Sequence, residues 1–218
     1  GGYAMTAITA VTAQNTLGVT SVESLSPRLV ADQIDACLSD IGADAIKIGM
    51  LGSPGIAHSV ADRLEGAEVP VVFDPVMVAT SGSVLADEAT VGAFERLMTL
   101  ATLTTPNLSE LTALGGHEGM QARQVAYLAK GGDAGGPDVE DVLARPGEPN
   151  RIWRSPRIGT RHTHGTGCTL SSAIATLLGR GLRLDEAIGE AREFVRKALL
   201  AAPGFGAGHG PMGHQAVR

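Results

Sequence analysis

"VPVVFD", residues 69–74, is the stretch on which the fold turns. Its apolar residues run on without alternation, the pattern of a strand covered on both faces, whereas a strand with one wet face alternates apolar and polar. Such a strand demands helices above and below it, and the flanking sequence supplies them. Upstream, Ile56, Val60 and Leu64 recur four apart and predict a helix. Before it, "ADAIKIGML" (43–51) reads as another buried strand, and Pro27 opens a helical stretch with Val30, Ile34, Cys37, Leu38 and Ile41 on one face. Downstream, past a glycine-containing loop, Val91, Phe94, Leu97 and Met98 mark a third helix, "ATLTT" (101–105) a strand, and Leu108, Leu111 and Leu114 a fourth helix. Alternation of this kind predicts an α/β fold: a central, mostly parallel sheet flanked by helices on both faces.

The rhythm breaks at "VEDVLARPGEPNRIWRSPRI" (139–158), where two β-like runs surround "RPGEPN" and predict an antiparallel hairpin at the sheet edge. Helices return over 168–179 and 185–202, the second with Ile188, Val195 and Leu199 inward, and "GFGAGHGP" (204–211) is a glycine-rich closing loop. The length suits a single domain over residues 1–218. Two stretches are short for the pattern. The chain opens at "GGYAM" with an element already under way, and between Gly119 and Lys130 there is room for a helix or a strand but hardly both. Segments of the natural protein are therefore expected to be absent at the start and before Lys130.

Composition narrows the function. A formal charge of −6 argues against general affinity for nucleic acid or an anionic membrane, and 3% aromatic residues leave no platform for stacking bases. No apolar run approaches the ~20 residues of a membrane helix, and no basic segment leads into an apolar core. Two cysteines, Cys37 and Cys168, make neither a disulfide framework nor a metal cluster, and the six histidines lack ligand spacing. A reducing cytoplasm is the expected location. Cys37, on the apolar face of its helix, is expected in the core.

In a parallel sheet, ligands bind outside the carboxyl ends of the strands. The residues there are Gly49-Met50, Asp74-Pro75, Thr105-Pro106-Asn107 with Glu110 beyond, and Lys130-Gly131-Gly132. To this rim "THGTGCTLSSAIATLLG" (163–179) adds a glycine turn feeding a helix, with Cys168 in the first turn and backbone N–H groups aimed at any nearby anion. The set suits phosphoryl transfer. Amides cradle the phosphate, Lys130 offsets its charge, Asp74 and Glu110 hold magnesium directly or through water, and Cys168 takes the acceptor's proton. The helix dipole and nearby cations are expected to favour its thiolate.

Each of these residues has a plain structural alternative. Cys168 as a small buried apolar residue, Asp74 as a turn former, Asn107 as a helix N-cap with Glu110 completing a capping box, and Lys130 as a solvated charge all remain open. Gln14 and Asn15 in "TAQNT" suggest a pocket or a turn; His164 supports the glycine turn; His209 and His214 sit in the glycine-rich tail. "HGTGC" lacks the Lys-Ser/Thr of a Walker A loop, and "GFGAGHG" is not a dinucleotide fingerprint. A thiol enzyme with a histidine base, and a catalytically silent binding module, are rival classes.

Taken together, "ITAVTAQNTLGV", "KIGML", "DPVMVATSG", "TPNLSE", "KGG", "HTHGTGCTLSSAIA" and "GAGHGP" resemble, in order and over nearly the whole chain, the hydroxymethylpyrimidine and phosphomethylpyrimidine kinases of thiamine biosynthesis. These are a branch of the ribokinase-like superfamily. The resemblance implies a ribokinase-like fold, ATP and magnesium as cofactors, and phosphorylation of 4-amino-5-hydroxymethyl-2-methylpyrimidine and then of its monophosphate. It places Cys168 where most of the superfamily carries an aspartate base, and the amides of Gly165, Thr166, Gly167 and Cys168 as the anion hole. Gln14, Met50 and Val76 would line the pyrimidine pocket, Lys130, Thr166 and Asn107 would serve ATP, and Asp74 and Glu110 magnesium. A homodimer is implied. Pyridoxal kinases that share the Gly-Thr-Gly-Cys turn are the nearest alternative. Two departures stand out: the family's N-terminal glycine-rich segment has no counterpart, and Asp133 stands where a histidine is usual.

Overall fold

A computed structural model describes residues 1–78 and 85–217, so the tail of the "DPVMVATSG" motif lies outside the described residues. Its centre is a six-stranded sheet in the order β3 (Ile46–Ile48), β4 (Val71–Phe73), β5 (Leu103–Thr104), β6 (Tyr127–Ala129), β7 (Asp138–Ala144) and β8 (Arg151–Pro156). The first four strands run parallel and β7 and β8 antiparallel, so the edge hairpin is where the sequence places it. β1 (Ala10–Asn15) and β2 (Gly18–Ser24) form a separate antiparallel hairpin. The sequence reading missed it, although "VTA" and "VTSV" carry a weak alternation. Asn15 makes its turn, its Oδ1 accepting the Leu17 N–H at 2.8 Å.

The continuous apolar run at 69–74 has the expected cause. Val71 and Phe73 point into a cluster beneath α1 (Pro27–Asp40), α2 (Pro54–Leu64), α3 (Glu88–Leu100), α4 (Leu108–Ala113) and α5 (Gly116–Ala122). Val72 points the other way, into a cluster with Leu103, Leu128 and Leu143 beneath α6 (Thr166–Gly179) and α7 (Leu184–Leu200). Ser26, Ser53 and Asp87 cap α1, α2 and α3 with their own side chains, and Pro27 and Pro54 occupy first-turn positions. Cys37 is half-buried on α1 rather than a core residue.

Between Gly119 and Lys130 the structure corrects the expectation, because both a helix and a strand fit. α5 starts early, at Gly116, and the chain reverses at Gln124 with φ of 55°, leaving three residues for β6. Arg123 braces the turn by donating to the Leu114 carbonyl at 2.8 Å and to Glu95. Strands are shorter than the apolar runs that announce them, since the paired ladder ends where the chain turns toward the rim. Among the described residues no helix is long and apolar enough to cross a membrane.

Candidate active site

The chain enters α6 through Gly165, whose φ of 80° lies in the left-handed region that a side chain resists. No side chain caps this helix. Its regular bonding begins with the Thr169 N–H donating to the Gly165 carbonyl at 2.8 Å, while the Thr166 N–H turns back to the Thr163 carbonyl at 3.2 Å. Between them, the N–H groups of Gly167 and Cys168 meet no backbone acceptor among the described residues. Two free donors at the positive end of a helix make a seat for an anion. Lys130 lies over that seat, with its Nζ 3.1 Å from where a Cβ on Gly167 would stand.

Asp74, just past β4, ties the rim together. It accepts from Lys130 Nζ at 2.7 Å, from Thr105 Oγ1 at 3.1 Å and from Ser171 Oγ at 3.2 Å, with Lys47 Nζ 3.9 Å away. Burial works against its charge, but Lys130 and Lys47 overcome it and hold the carboxyl below its ordinary range. The same burial opposes the Lys130 ammonium, and Asp74 and Glu110 outweigh it, so that lysine is held charged to higher pH than usual. Lys130 is therefore a buried, paired charge, and the solvated alternative is excluded.

Asn107 and Glu110 do form the capping box that their spacing allows. The Glu110 carboxylate accepts the Asn107 N–H at 2.7 Å, and Asn107 Oδ1 accepts the Glu110 N–H at 2.8 Å. Burial pushes the Glu110 carboxyl up, against the pull of Lys130 and the Asn107 N–H. With both oxygens of Asp74 and one of Glu110 engaged, no group of three metal-ligating side chains occurs among the described residues.

A cavity of about 780 Å³ opens over this rim and collects every expected residue: Gln14, Met50, Val76, Asn107, Lys130 and Cys168 line it, as do Asp74, Glu110, Gly165, Thr166 and Gly167. Val76 reaches it through a tight turn at Pro75, its N–H donating to the Asp74 carbonyl at 2.8 Å. Asp133, His164 and His209 also line the cavity. His209 is engaged with Thr163 at 3.3 Å, while His214 pairs with Thr169 at 2.9 Å outside the cavity lining.

The Cys168 side chain is open to the cavity and not a core residue. Its protonation departs from expectation. Burial by the surrounding protein pushes the thiol's pKa above its ordinary value; Lys47 and Lys130 pull it down, and Asp74 and Glu110 oppose them. The thiol form is favoured at neutral pH in the free protein, chiefly because burial opposes the charged form, with repulsion by the two carboxylates adding to it.

Three supports escaped the sequence reading. Arg157 donates to the carbonyls of Gly132 at 2.7 Å and Gly136 at 2.9 Å, shaping the glycine loop after Lys130. Asp141 accepts the Gly131 N–H at 2.9 Å and the Arg192 Nε at 2.7 Å, fixing the base of the same loop. Lys47 is the third, and a lone charge inside the apolar strand "AIKIG" was the available signal.

The phosphomethylpyrimidine kinase family model matches residues 1–213. A hydroxymethylpyrimidine/phosphomethylpyrimidine kinase of Rhizobium meliloti is 41% identical over 98% of this chain and 86% of its own length. A thiamine biosynthesis bifunctional protein of Geobacter sulfurreducens is 42% identical over 98% of the chain, which spans only 46% of that relative. Among solved structures, an ADP complex of Bacillus subtilis pyridoxal kinase superposes with a TM-score of 0.88 at 30% identity, covering 99% of this chain and 88% of the other. The phosphomethylpyrimidine kinase of Clostridium difficile gives 0.75 at 32% identity, covering 91% and 87%.

Proposed function

The chain belongs to the phosphomethylpyrimidine kinase family, and from that premise we propose that it transfers the γ-phosphoryl group of ATP to the hydroxymethyl oxygen of 4-amino-5-hydroxymethyl-2-methylpyrimidine, and then to the monophosphate so formed. The carrying observation is the cavity in which two unpaired helix N-terminal amides, a buried lysine and an accessible thiol meet.

In this reading Gln14, Met50 and Val76 receive the pyrimidine, and Lys130, with Thr166 and Asn107 beside it, receives the nucleotide phosphates. The acceptor oxygen attacks the γ-phosphorus, the bond to the bridging oxygen breaks, and its electron pair leaves on ADP. The acceptor's proton passes to Cys168 as thiolate, and the amides of Gly167 and Cys168 hold the charge on the transferring group. Asp74 aligns Lys130 with that turn.

Magnesium fits as the ion that ATP carries on its own phosphates. Direct ligation by Asp74 is not supported, since its oxygens serve Lys130, Thr105 and Ser171. Contact of Asp74 and Glu110 with the ion through water remains part of the proposal, and no step is routed through it. A cytoplasmic homodimer completes the reading, and the apolar residues Val11, Leu17 and Val22 exposed on the separate hairpin offer it a surface.

Release of ADP with the pyrimidine alcohol, with its monophosphate and with pyridoxal, run separately, tests the assignment. Turnover on both pyrimidines is expected. The pyridoxal kinase likeness gives the alternative its weight, and a strong preference for pyridoxal would overturn the assignment.

A further inference from the structure

One cation beside the site, Lys47, is given no step in the transfer described above. Lys47 lies in the middle of β3, where Ile46 and Ile48 pack into the cluster beneath α1 to α5. The pleat sends Lys47 to the opposite face, level with its register partner Val72 and beneath α6. A charge at such a position needs a reason. Its side chain is 20% exposed, and its closest carboxylate oxygen, on Asp74, is 3.9 Å away and beyond hydrogen-bond range. Asp74 is already served by Lys130 at 2.7 Å, by Thr105 and by Ser171.

Two close approaches place the ammonium. Gly49 leaves a notch for it, since a Cβ there would stand 2.5 Å from Lys47 Nζ. At its far end α6 packs closely on the start of β3, where a Cβ on Gly179 would lie 3.0 Å from the Ala45 Cβ. The first turn of α6, with Cys168, therefore lies toward the carboxyl end of β3, on the side of Lys47. Ser171 completes the path, its Oγ bonded to Asp74 and 3.1 Å from the Cys168 carbonyl. A cation under the positive end of a helix is unfavourable unless a negative charge joins it. Asp74 supplies one at 3.9 Å but shares it with Lys130, and the Cys168 thiolate is a second that the chain can generate there.

We infer that Lys47 is the positioning residue for Cys168: its ammonium, seated in the notch left by Gly49, stabilises the thiolate that accepts the substrate proton. The inference rests on the reading of Cys168 as the base. The charges facing the sulfur are Lys47 from β3, Asp74 after β4, Glu110 from α4 and Lys130 after β6. Burial holds the thiol protonated, and Lys47 is the first counterweight, ahead of Lys130. Lys130, the second counterweight, is at the same time bonded to Asp74 at 2.7 Å.

The test is the pH dependence of Cys168 alkylation by iodoacetamide between pH 7 and 10, in a Cys37→Ser background that removes the other thiol. Lys47→Met should lower the alkylation rate at pH 8 about three- to tenfold and shift the profile to higher pH. One pKa unit is tenfold in thiolate fraction, offset in part by the greater nucleophilicity of the more basic thiolate. Lys47→Arg should restore the parent profile. Gly49→Ala, which displaces the ammonium without removing it, should fall between. Profiles of Lys47→Met and Gly49→Ala that superpose on the parent would overturn the inference. If alkylation shifts while the pH profile of kcat stays put, the pairing of Lys47 with Cys168 stands and the assignment of Cys168 as base falls.

Discussion

Helices α1 and α6 are both 14 residues long, yet their first turns are built on opposite principles. α1 is capped by its own chain: Ser26 Oγ accepts the Leu29 N–H at 3.2 Å, and Pro27 has no N–H to satisfy. α6 opens on a left-handed glycine, has no side-chain cap, and leaves the Gly167 and Cys168 amides pointing into the cavity. Packing reverses the order. α1 buries Val30 and Ala31, whereas α6 buries Leu170, Ser171, Ile174, Ala175 and Leu178. A helix held by its side chains along its length can leave its end unpaired, and those donors are then free for a ligand. A helix with little buried surface depends on its cap.

The sharpest break in this comparison is Cys168→Ala. Loss of a positioned base should lower kcat by about 10²- to 10⁴-fold with a much smaller change in the KM for the pyrimidine. Because the thiol is exposed to the cavity, the melting temperature should hold. In the parent, kcat/KM should rise with pH through neutrality, since burial raises the thiol's pKa and the active form is the thiolate. Cys168→Asp should move that limb to acid pH, and steady-state rates across pH 5 to 10 read both effects.

Next in size is Asp74→Ala, which takes from the buried Lys130 its hydrogen-bonded partner, leaving only Glu110 at 3.8 Å, and removes the Ser171 contact at the start of α6. A loss of about 3–5 kcal/mol is expected by urea unfolding. The sign with pH follows from the lowered folded-state pKa of Asp74. Its contribution is present above the unfolded value of about 3.9 and lost as pH falls through the lower folded value. The Lys130 contribution is present below about 10.4 and lost as pH rises through its higher folded value. Removing Asp74 should flatten both edges of the stability profile.

Gly165→Ala should cost about 1 kcal/mol, because φ of 80° is strained for any side chain. Calorimetric titration should also show weaker ADP binding as the amides tilt. Smallest is Ser26→Ala, which should cost about 1 kcal/mol or less by urea unfolding and leave kcat and KM unchanged. If Ser26→Ala altered catalysis, or Gly165→Ala left nucleotide affinity untouched, the contrast between the two helices would be wrong.

Most of the fold was legible because apolar periodicity reports burial directly. Val71, Val72 and Phe73 require cover on both faces, and the covering helices fall where Pro27 and the four-residue spacing of Ile56, Val60 and Leu64 announce them. The hairpin of β1 and β2 was missed because it stands outside the main sheet and buries too little for a clear alternation. The early start of α5 escaped because Gln124 carries the reversal at positive φ, which a glutamine does not signal. At the site, the gathering of residues at strand ends was legible from topology. The capping role of Asn107 and Glu110 could be seen but not chosen over a ligand role, since both follow from the same Asn-x-x-Glu spacing.

By itself the sequence determined the layer order, the rim on which the polar residues gather and the glycine turn before Cys168, because these follow from periodicity and from the backbone freedom of glycine. Only the tertiary structure decided how the charges on that rim are shared. Asp74 is committed to Lys130, Lys47 is left over beneath α6, and the thiol is kept protonated. Electrostatic energy depends on distances of a few ångströms and on exclusion of water, and residues as far apart in the chain as 47, 74, 130 and 168 acquire those only when the sheet and α6 close on each other.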